Sequence, residues 1–272
     1  MKVLVTGARG MLGQDLCPVL IEAGFNILPT DIQELDITNV NSCKNVLENN
    51  KPDIVIHCAA FTNVEESEKN IQNSSEINVN GTENIAKICS ENDITLVYIS
   101  TDYVFDGNKN LPYTTEDHPK PLNNYGITKF NGEEIVKKYC KKYYIIRTSW
   151  LYGKFGKNFV NTMLNLVKEK KEIRVVNDQI GSPTWTKDLS KKIIEIIKNK
   201  SFGIYHISGE GETSWYNFAK EIFKLSELEV NLTPCSSEEY FQIAKRPKYS
   251  VLKNSIKCKN WKESLREFLE QK

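Results

Sequence analysis

A phenol and an ammonium stand four residues apart in Tyr125-Gly126-Ile127-Thr128-Lys129, within a stretch of helical period, so both side chains face the same way. A phenol with a pKa near 10 is a poor acid or base at neutral pH. A cation about 4 Å away contributes on the order of 4 kcal/mol at an effective dielectric of 20, enough to make it competent. Tyr and Lys at this spacing also fall by chance on solvated helices. What favours proton transfer is Ser100-Thr101, which ends a strand-like run and offers a hydroxyl that can hold a carbonyl oxygen beside the tyrosine.

A second constellation opens the chain. Gly7-Ala8-Arg9-Gly10-Met11-Leu12-Gly13 follows the first strand-like run and starts the first helical one. Glycines there permit a tight turn, let the backbone approach a pyrophosphate and pack helix on strand, while the helix N-terminus supplies N–H donors. Asp31 lies eighteen residues after Gly13, where an acid that holds an adenosine ribose is expected. That placement favours a dinucleotide over a merely steric turn. Asp36-Ile37 follows, either flanking an adenine or capping the next helix.

These groups need a scaffold that brings strand ends together. Val- and Ile-rich runs at Lys2–Thr6, Asn26–Thr30, Asp53–His57, Thr95–Ser100 and Tyr143–Thr148 alternate with helical periods at Met11–Glu22, Val40–Asn49, Ser75–Glu91 and Tyr125–Cys140. Such alternation predicts an α/β, doubly wound parallel sheet of Rossmann type, with helices on both faces and ligands at the carboxyl edge. Beyond Trp150 the rhythm loosens into helices over Phe159–Lys170, Lys187–Lys198, Trp215–Leu225 and Lys259–Leu269, with strands at Ile173–Val176 and Gly203–Ile207. Residues 1–150 read as a dinucleotide-binding domain to which 184–208 return, and 151–183 with 209–272 read as a smaller carboxyl-terminal substrate lobe.

Composition narrows the classes. The 272 residues are 40% hydrophobic and 26% charged, which suits a folded globular protein. A net charge of +1 gives the chain no nucleic-acid-binding or polybasic membrane character. Mean hydropathy is −0.44 and no apolar run approaches the roughly 18 residues of a bilayer-spanning helix. The seven cysteines are odd in number and scattered without metal or redox spacing, as expected of reduced thiols in a cytoplasmic protein.

Glycine turn, acid after strand two, hydroxyl after strand four and Tyr-x-x-x-Lys together resemble the extended short-chain dehydrogenase/reductase superfamily. Within it, the blocks Ser100-Thr101-Asp102-Tyr103-Val104-Phe105-Asp106-Gly107, Arg147-Thr148-Ser149-Trp150-Leu151-Tyr152-Gly153 and Asn177-Asp178-Gln179-Ile180-Gly181-Ser182-Pro183-Thr184 resemble the dTDP-4-dehydrorhamnose reductases, over Lys2 to about Leu252. The resemblance implies NADPH- or NADH-dependent reduction of the C4 ketone of a dTDP-4-keto-6-deoxyhexose to dTDP-L-rhamnose, for polysaccharide synthesis.

By position it implies Tyr125 as proton donor, Lys129 as holder of the nicotinamide ribose and tuner of the phenol, and Thr101 as partner of the reacting oxygen. Gly7, Gly10, Met11, Leu12 and Gly13 would meet the cofactor diphosphate and Asp31 the adenosine ribose. Asp36 and Ile37 would meet the adenine end, and Ala60, Phe61 and Thr62 the ribose–diphosphate face. Asp102 and Trp150 would line the sugar site, the indole giving a flat apolar face to a deoxysugar, with an ordinary core aromatic as the lesser alternative for Trp150. Arg246, in a loop-like setting, suits the two phosphates of a nucleotide sugar. Two departures stand out: a lysine common in the family is Glu66 here, and Gln14-Asp15 stands where some members are reported to hold magnesium at a dimer interface, so a homodimer is left open and no metal is assigned. The competing readings are a non-catalytic regulatory relative of the methionine adenosyltransferase β type and another nucleotide-sugar reductase or epimerase.

Overall fold

The computed structural model describes residues 1–169 and 172–271; Lys170, where the helix begun at Phe159 was expected to end, lies outside them. The first strands are β1 (Lys2–Thr6), β2 (Asn26–Thr30), β3 (Ile54–His57), β4 (Thr95–Thr101) and β5 (Tyr143–Thr148). Joined later by β10 (Gly203–His206), they form a six-stranded sheet in the order β10-β5-β4-β3-β1-β2, every pair parallel. β3 is buried throughout and most of β1, β4 and β5 is as well, as a sheet covered on both faces requires.

Parallel strands need crossovers. The helices α1 (Met11–Glu22), α2 (Val40–Asn50), α5 (Thr82–Glu91) and α6 (Asn124–Tyr139) supply them, with α8 (Thr186–Asn199) leading into β10. Leu12, Leu16 and Leu20 of α1 pack with Leu189, Ile193 and Ile196 of α8 on one side of the sheet. Leu47 of α2, Ile85 and Cys89 of α5 and Val136 of α6 cover the other. The strand order reverses between β1 and β3, which opens a crevice at the carboxyl edge. Register brings the strand ends level there: Thr6 pairs with His57 and Thr101 with Thr148.

The helix expected over Ser75–Glu91 runs on without a gap, from α4 (Ile71–Ser75) through a π-helical stretch (Glu76–Gly81) into α5, every junction residue keeping right-handed helical backbone. The π-helical stretch turns Asn78 inward. Its side chain accepts from Phe61 N at 2.7 Å and donates to Phe61 O at 3.1 Å, while a Cβ on Gly81 would come within 2.8 Å of Ile37 Cδ1. Such π-turns commonly accompany functional sites.

After β6 (Leu151–Tyr152), the helices α7 (Phe159–Glu169), α9 (Trp215–Leu225) and α10 (Trp261–Glu270) enclose a separate core of Tyr152, Phe218, Trp261 and Phe268. A strand not foreseen, β12 (Asn231–Cys235), pairs in parallel with β7 (Glu172–Val176). No helix among the described residues is long and apolar enough to cross a membrane, and the seven cysteines are free thiols.

Candidate active site

β1 ends in the glycine turn. Gly7 adopts φ +64°, which glycine reaches without steric cost, and a Cβ there would lie 2.8 Å from the backbone nitrogen of Ala59. Gly10 is the N-cap of α1, and no side chain caps it. The first N–H groups of the helix are thereby left for an anion, at the positive end of its dipole. Asp31 is fixed at the rim, accepting from Arg9 N at 3.0 Å and Ile32 N at 2.9 Å. The Arg9 guanidinium is paired with Glu34.

A cleft of about 820 Å³ runs from this turn across the carboxyl edge. Of the expected cofactor residues, its walls contain Gly7, Gly10, Met11, Leu12 and Gly13, then Asp31, Asp36 and Ile37, and Ala60 and Thr62. Phe61 is absent from these walls; its backbone is the part clamped by Asn78. Asp36 does not cap α2: its Oδ1 closes a local turn by accepting from Thr38 N and Oγ1, and Asn39 caps the helix instead.

Thr101, Asp102, Tyr125, Lys129, Trp150 and Arg246 line the same cleft. α6 starts cleanly because Asn123 Oδ1 accepts from Gly126 N at 2.8 Å. Gly126 lets the helix close onto Tyr103, whose carbonyl a Cβ would strike. Tyr125, in the first turn, lines the cleft with Thr101, whose hydroxyl donates to Asp102 Oδ1 at 3.2 Å and accepts from Tyr103 N at 3.2 Å. Burial raises the Tyr125 phenol above the ordinary range, a rise that Thr101 opposes and the neighbouring Asp102 reinforces. One turn on, Lys129 is buried, its Nζ 4.0 Å from the centroid of the Tyr98 ring. Burial pushes its ammonium down to about 7, partly offset by the attraction of Glu133.

Asp102 is buried and its Oδ2 has no hydrogen-bond partner among the described residues. Burial raises its carboxyl to about 7, a rise opposed by the nearby hydroxyls of Ser250 and of Thr101, the latter donating to Oδ1 at 3.2 Å. An acceptor atom left open beside the Thr101–Tyr125 pair suits a ligand hydroxyl.

Trp150 takes φ +46°, an uncommon conformation for a bulky residue. Its indole stacks on Trp215 with centroids 3.4 Å apart and planes 5° apart. A Cβ on Gly181 would come within 2.4 Å of that indole. Trp215 opens α9 and lines the cleft too; lying sixty-five residues from Trp150, it carries no local signal that would pair the two. Also missed was a buried network behind the site. Arg147 donates to both oxygens of Glu133 at 2.9 and 2.6 Å, Ser100 Oγ donates to the same carboxylate at 2.5 Å, and Arg147 approaches His206 Nε2 at 3.3 Å. The i, i+4 relation of Glu133 to Lys129 was the available clue. Asp15 is engaged by the Thr186 hydroxyl, and Glu66 pairs with Lys69 at 3.6 Å.

A Rossmann sheet, an uncapped glycine-turn helix and a threonine, a tyrosine and a lysine lining one cleft define the class: a nicotinamide-dependent oxidoreductase with the short-chain dehydrogenase/reductase constellation. Within that class the chain belongs to the RmlD substrate binding domain family, whose model matches residues 1–272. It is 42% identical to the spore coat polysaccharide biosynthesis protein SpsK of Bacillus subtilis, over 100% of this chain and 98% of that one. Identity is 37% to the dTDP-4-dehydrorhamnose reductase of Aggregatibacter actinomycetemcomitans, over 92% and 90%. Among solved structures, the dTDP-4-dehydrorhamnose reductase of Bacillus anthracis in complex with NADP superposes with a TM-score of 0.97 at 43% identity, over 100% and 99% of the chains.

Proposed function

We propose that this protein reduces the C4 ketone of dTDP-4-dehydrorhamnose (dTDP-4-dehydro-6-deoxy-L-mannose) to dTDP-L-rhamnose, using NADPH or NADH, for polysaccharide synthesis. The observation that carries the reading is the convergence of Thr101, Tyr125 and Lys129 in one cleft that also holds the glycine turn. Residues 1–150 with 184–208 form the cofactor domain, and 151–183 with 209–272 the substrate lobe.

The uncapped N-terminus of α1 and the glycine turn fit a dinucleotide diphosphate, with Asp31 on the adenosine ribose and Asp36 and Ile37 toward the adenine. The reduced nicotinamide, when bound, supplies the hydride to C4. Tyr125 gives its hydroxyl proton to the ketone oxygen, so C4 gains one hydrogen and its oxygen the other. A phenol raised by burial keeps that proton at neutral pH until charge develops on the oxygen. Thr101 hydrogen-bonds the reacting oxygen, and Lys129 holds the ribose and, as a cation, offsets the phenolate left on Tyr125. Asp102 accepts a sugar hydroxyl, the Trp150–Trp215 stack gives the deoxy edge an apolar wall, and Arg246 meets the phosphates.

The test is turnover with a panel of dTDP-, GDP- and UDP-4-keto sugars and each reduced cofactor. Product dTDP-L-rhamnose is expected. Failure with every dTDP-4-keto sugar would overturn the reading, and no turnover with any sugar, cofactor binding intact, would favour a regulatory relative.

A further inference from the structure

We propose that Glu65 is a positioning residue that aims the Arg246 guanidinium at the diphosphate of the nucleotide sugar; this rests on the reading of Arg246 above. Arg246 lines the cleft. Its Nη2 lies 3.0 Å from Glu65 Oε1 and its Nη1 donates to the Tyr103 hydroxyl at 3.3 Å. Its Nε is buried without a hydrogen-bond partner among the described residues. A guanidinium fixed on one edge with an N–H to spare is set for an anion along the other edge.

The other carboxylate oxygen does a different task. Glu65 Oε2 accepts from the backbone N–H groups of Ile243 and Ala244 at 2.8 and 3.4 Å, so one side chain holds both the guanidinium and the stretch that carries it. Ala244 is the one buried apolar side chain of that stretch, Ile243 being 48% exposed, so polar contacts carry much of its fixing. On its far side the carbonyl of Lys245 accepts from Asn123 Nδ2 at 2.8 Å, and Asn123 is the cap of the helix bearing Tyr125. Glu68, also on α3 (Val64–Lys69), accepts from Asn124 N and Nδ2, each at 2.8 Å. The short helix α3 is thus a bracket joining the Arg246 segment to the start of the catalytic helix. Glu66, between the two, faces Lys69 and Asn70.

A carboxylate beside an arginine can either pre-organise the fork or compete with the phosphate for it, and the two predict opposite signs. Because Oε2 is committed to the backbone, removal of Glu65 loosens the segment as well as the guanidinium, and pre-organisation dominates.

The experiment is calorimetric titration of dTDP into the full chain with NADP⁺ present. Arg246→Gln should weaken dTDP binding by more than about tenfold and Glu65→Gln by roughly three- to tenfold, with Glu65→Ala worse because the backbone bonds go too. In the Arg246→Gln background Glu65→Gln should add nothing. Glu66→Gln should match the parent, and NADP⁺ affinity should stay within about twofold throughout, which reports an intact fold. In turnover, Glu65→Gln should raise KM for the keto-sugar with kcat nearly constant. Tighter or unchanged dTDP binding in Glu65→Gln, with Arg246→Gln still impaired, would overturn the role of Glu65 alone. Unchanged binding in Arg246→Gln would remove the underlying reading and this inference with it.

Discussion

The Lys129 ammonium stands 4.0 Å from the centroid of the Tyr98 ring, and Tyr98 in turn donates its hydroxyl to the Lys129 carbonyl at 3.3 Å. The aromatic face partly replaces the water that burial removes. It does not replace all of it, and the lysine falls to about 7. A folded-state value below the unfolded one near 10.4 means the unfolded chain binds more protons between them. The penalty is complete below pH 7 and vanishes toward pH 10. Relative to Lys129→Met, the ligand-free parent should therefore gain stability as pH rises from about 7 to about 10, by several kcal/mol at most. Urea unfolding of both proteins at three pH values checks this; a constant gap would mean that Lys129 is solvated.

Much of the site was legible because its parts sit at strand ends and helix starts, where residue type and position are tightly coupled. The glycine turn, Asp31, Thr101 and the Tyr125–Lys129 pair needed only local pattern and the parallel-sheet rule. What escaped depended on contacts between distant segments. Trp215 reaches Trp150 only after α9 folds back, and Glu133 meets Arg147 through the register of β5 against α6. The π-helical widening before α5 was hidden because Glu76–Gly81 keeps helical periodicity while Asn78 is recruited to clamp Phe61. Tyr125 and Lys129 line one cleft, but the Tyr125 ring meets Tyr103 edge-on and the Lys129 ammonium lies over Tyr98, contacts between segments that no local pattern announces.

Tyr125→Phe removes the transferable proton while leaving the ring in its edge contact with Tyr103 at 5.9 Å. Turnover should fall by about 10²–10⁴-fold or more, with cofactor affinity nearly unchanged. Thr101→Val, which keeps shape and loses the hydroxyl, should cost less but in the same sense. Single-turnover measurements of cofactor oxidation decide the matter: near-normal hydride transfer in Tyr125→Phe would dismiss it as proton donor.

Asp102 carries a second titration. Burial lifts its carboxyl to about 7, so the fraction able to accept from a sugar hydroxyl through the open Oδ2 grows as pH rises through that value. The kcat/KM for the keto-sugar should show an acid limb near pH 7. Asp102→Asn, of nearly the same shape, should flatten it and lower the plateau by roughly tenfold, the worth of one hydrogen bond to a charged acceptor. A limb of unchanged position in the variant would assign it to another group.

The stacked indoles of Trp150 and Trp215 form one wall, so their contributions are coupled. Either replacement by alanine should weaken productive sugar binding by about 1–3 kcal/mol, using the area coefficient for a partly buried aromatic face. The double variant should cost less than the sum, because each single loss already disorders the partner. KM for the keto-sugar in the four proteins measures this coupling. Wild-type KM values in both single variants would make the pair ordinary core.

Cofactor choice turns on three charges at the rim. Asp31 can accept both hydroxyls of an unphosphorylated adenosine ribose and repels a 2′-phosphate, which favours NADH. Arg9 can meet that phosphate with its planar fork, which favours NADPH. Its guanidinium pairs with Glu34, whose carboxyl that pairing holds below its ordinary range. Binding of a 2′-phosphate must break or share this exposed pair, at small cost because water already screens it. Use of both cofactors with a preference within about tenfold follows. Asp31→Ala should move the balance toward NADPH and Arg9→Ala toward NADH. Glu34→Gln frees the guanidinium and removes a repelling charge together, so it should favour NADPH without touching the NADH kcat/KM by more than about twofold. The ratio of kcat/KM values for the two cofactors in these four proteins reads the outcome. A parent preference above roughly a hundredfold, or a Glu34→Gln shift toward NADH, would show that Arg9 does not serve the phosphate.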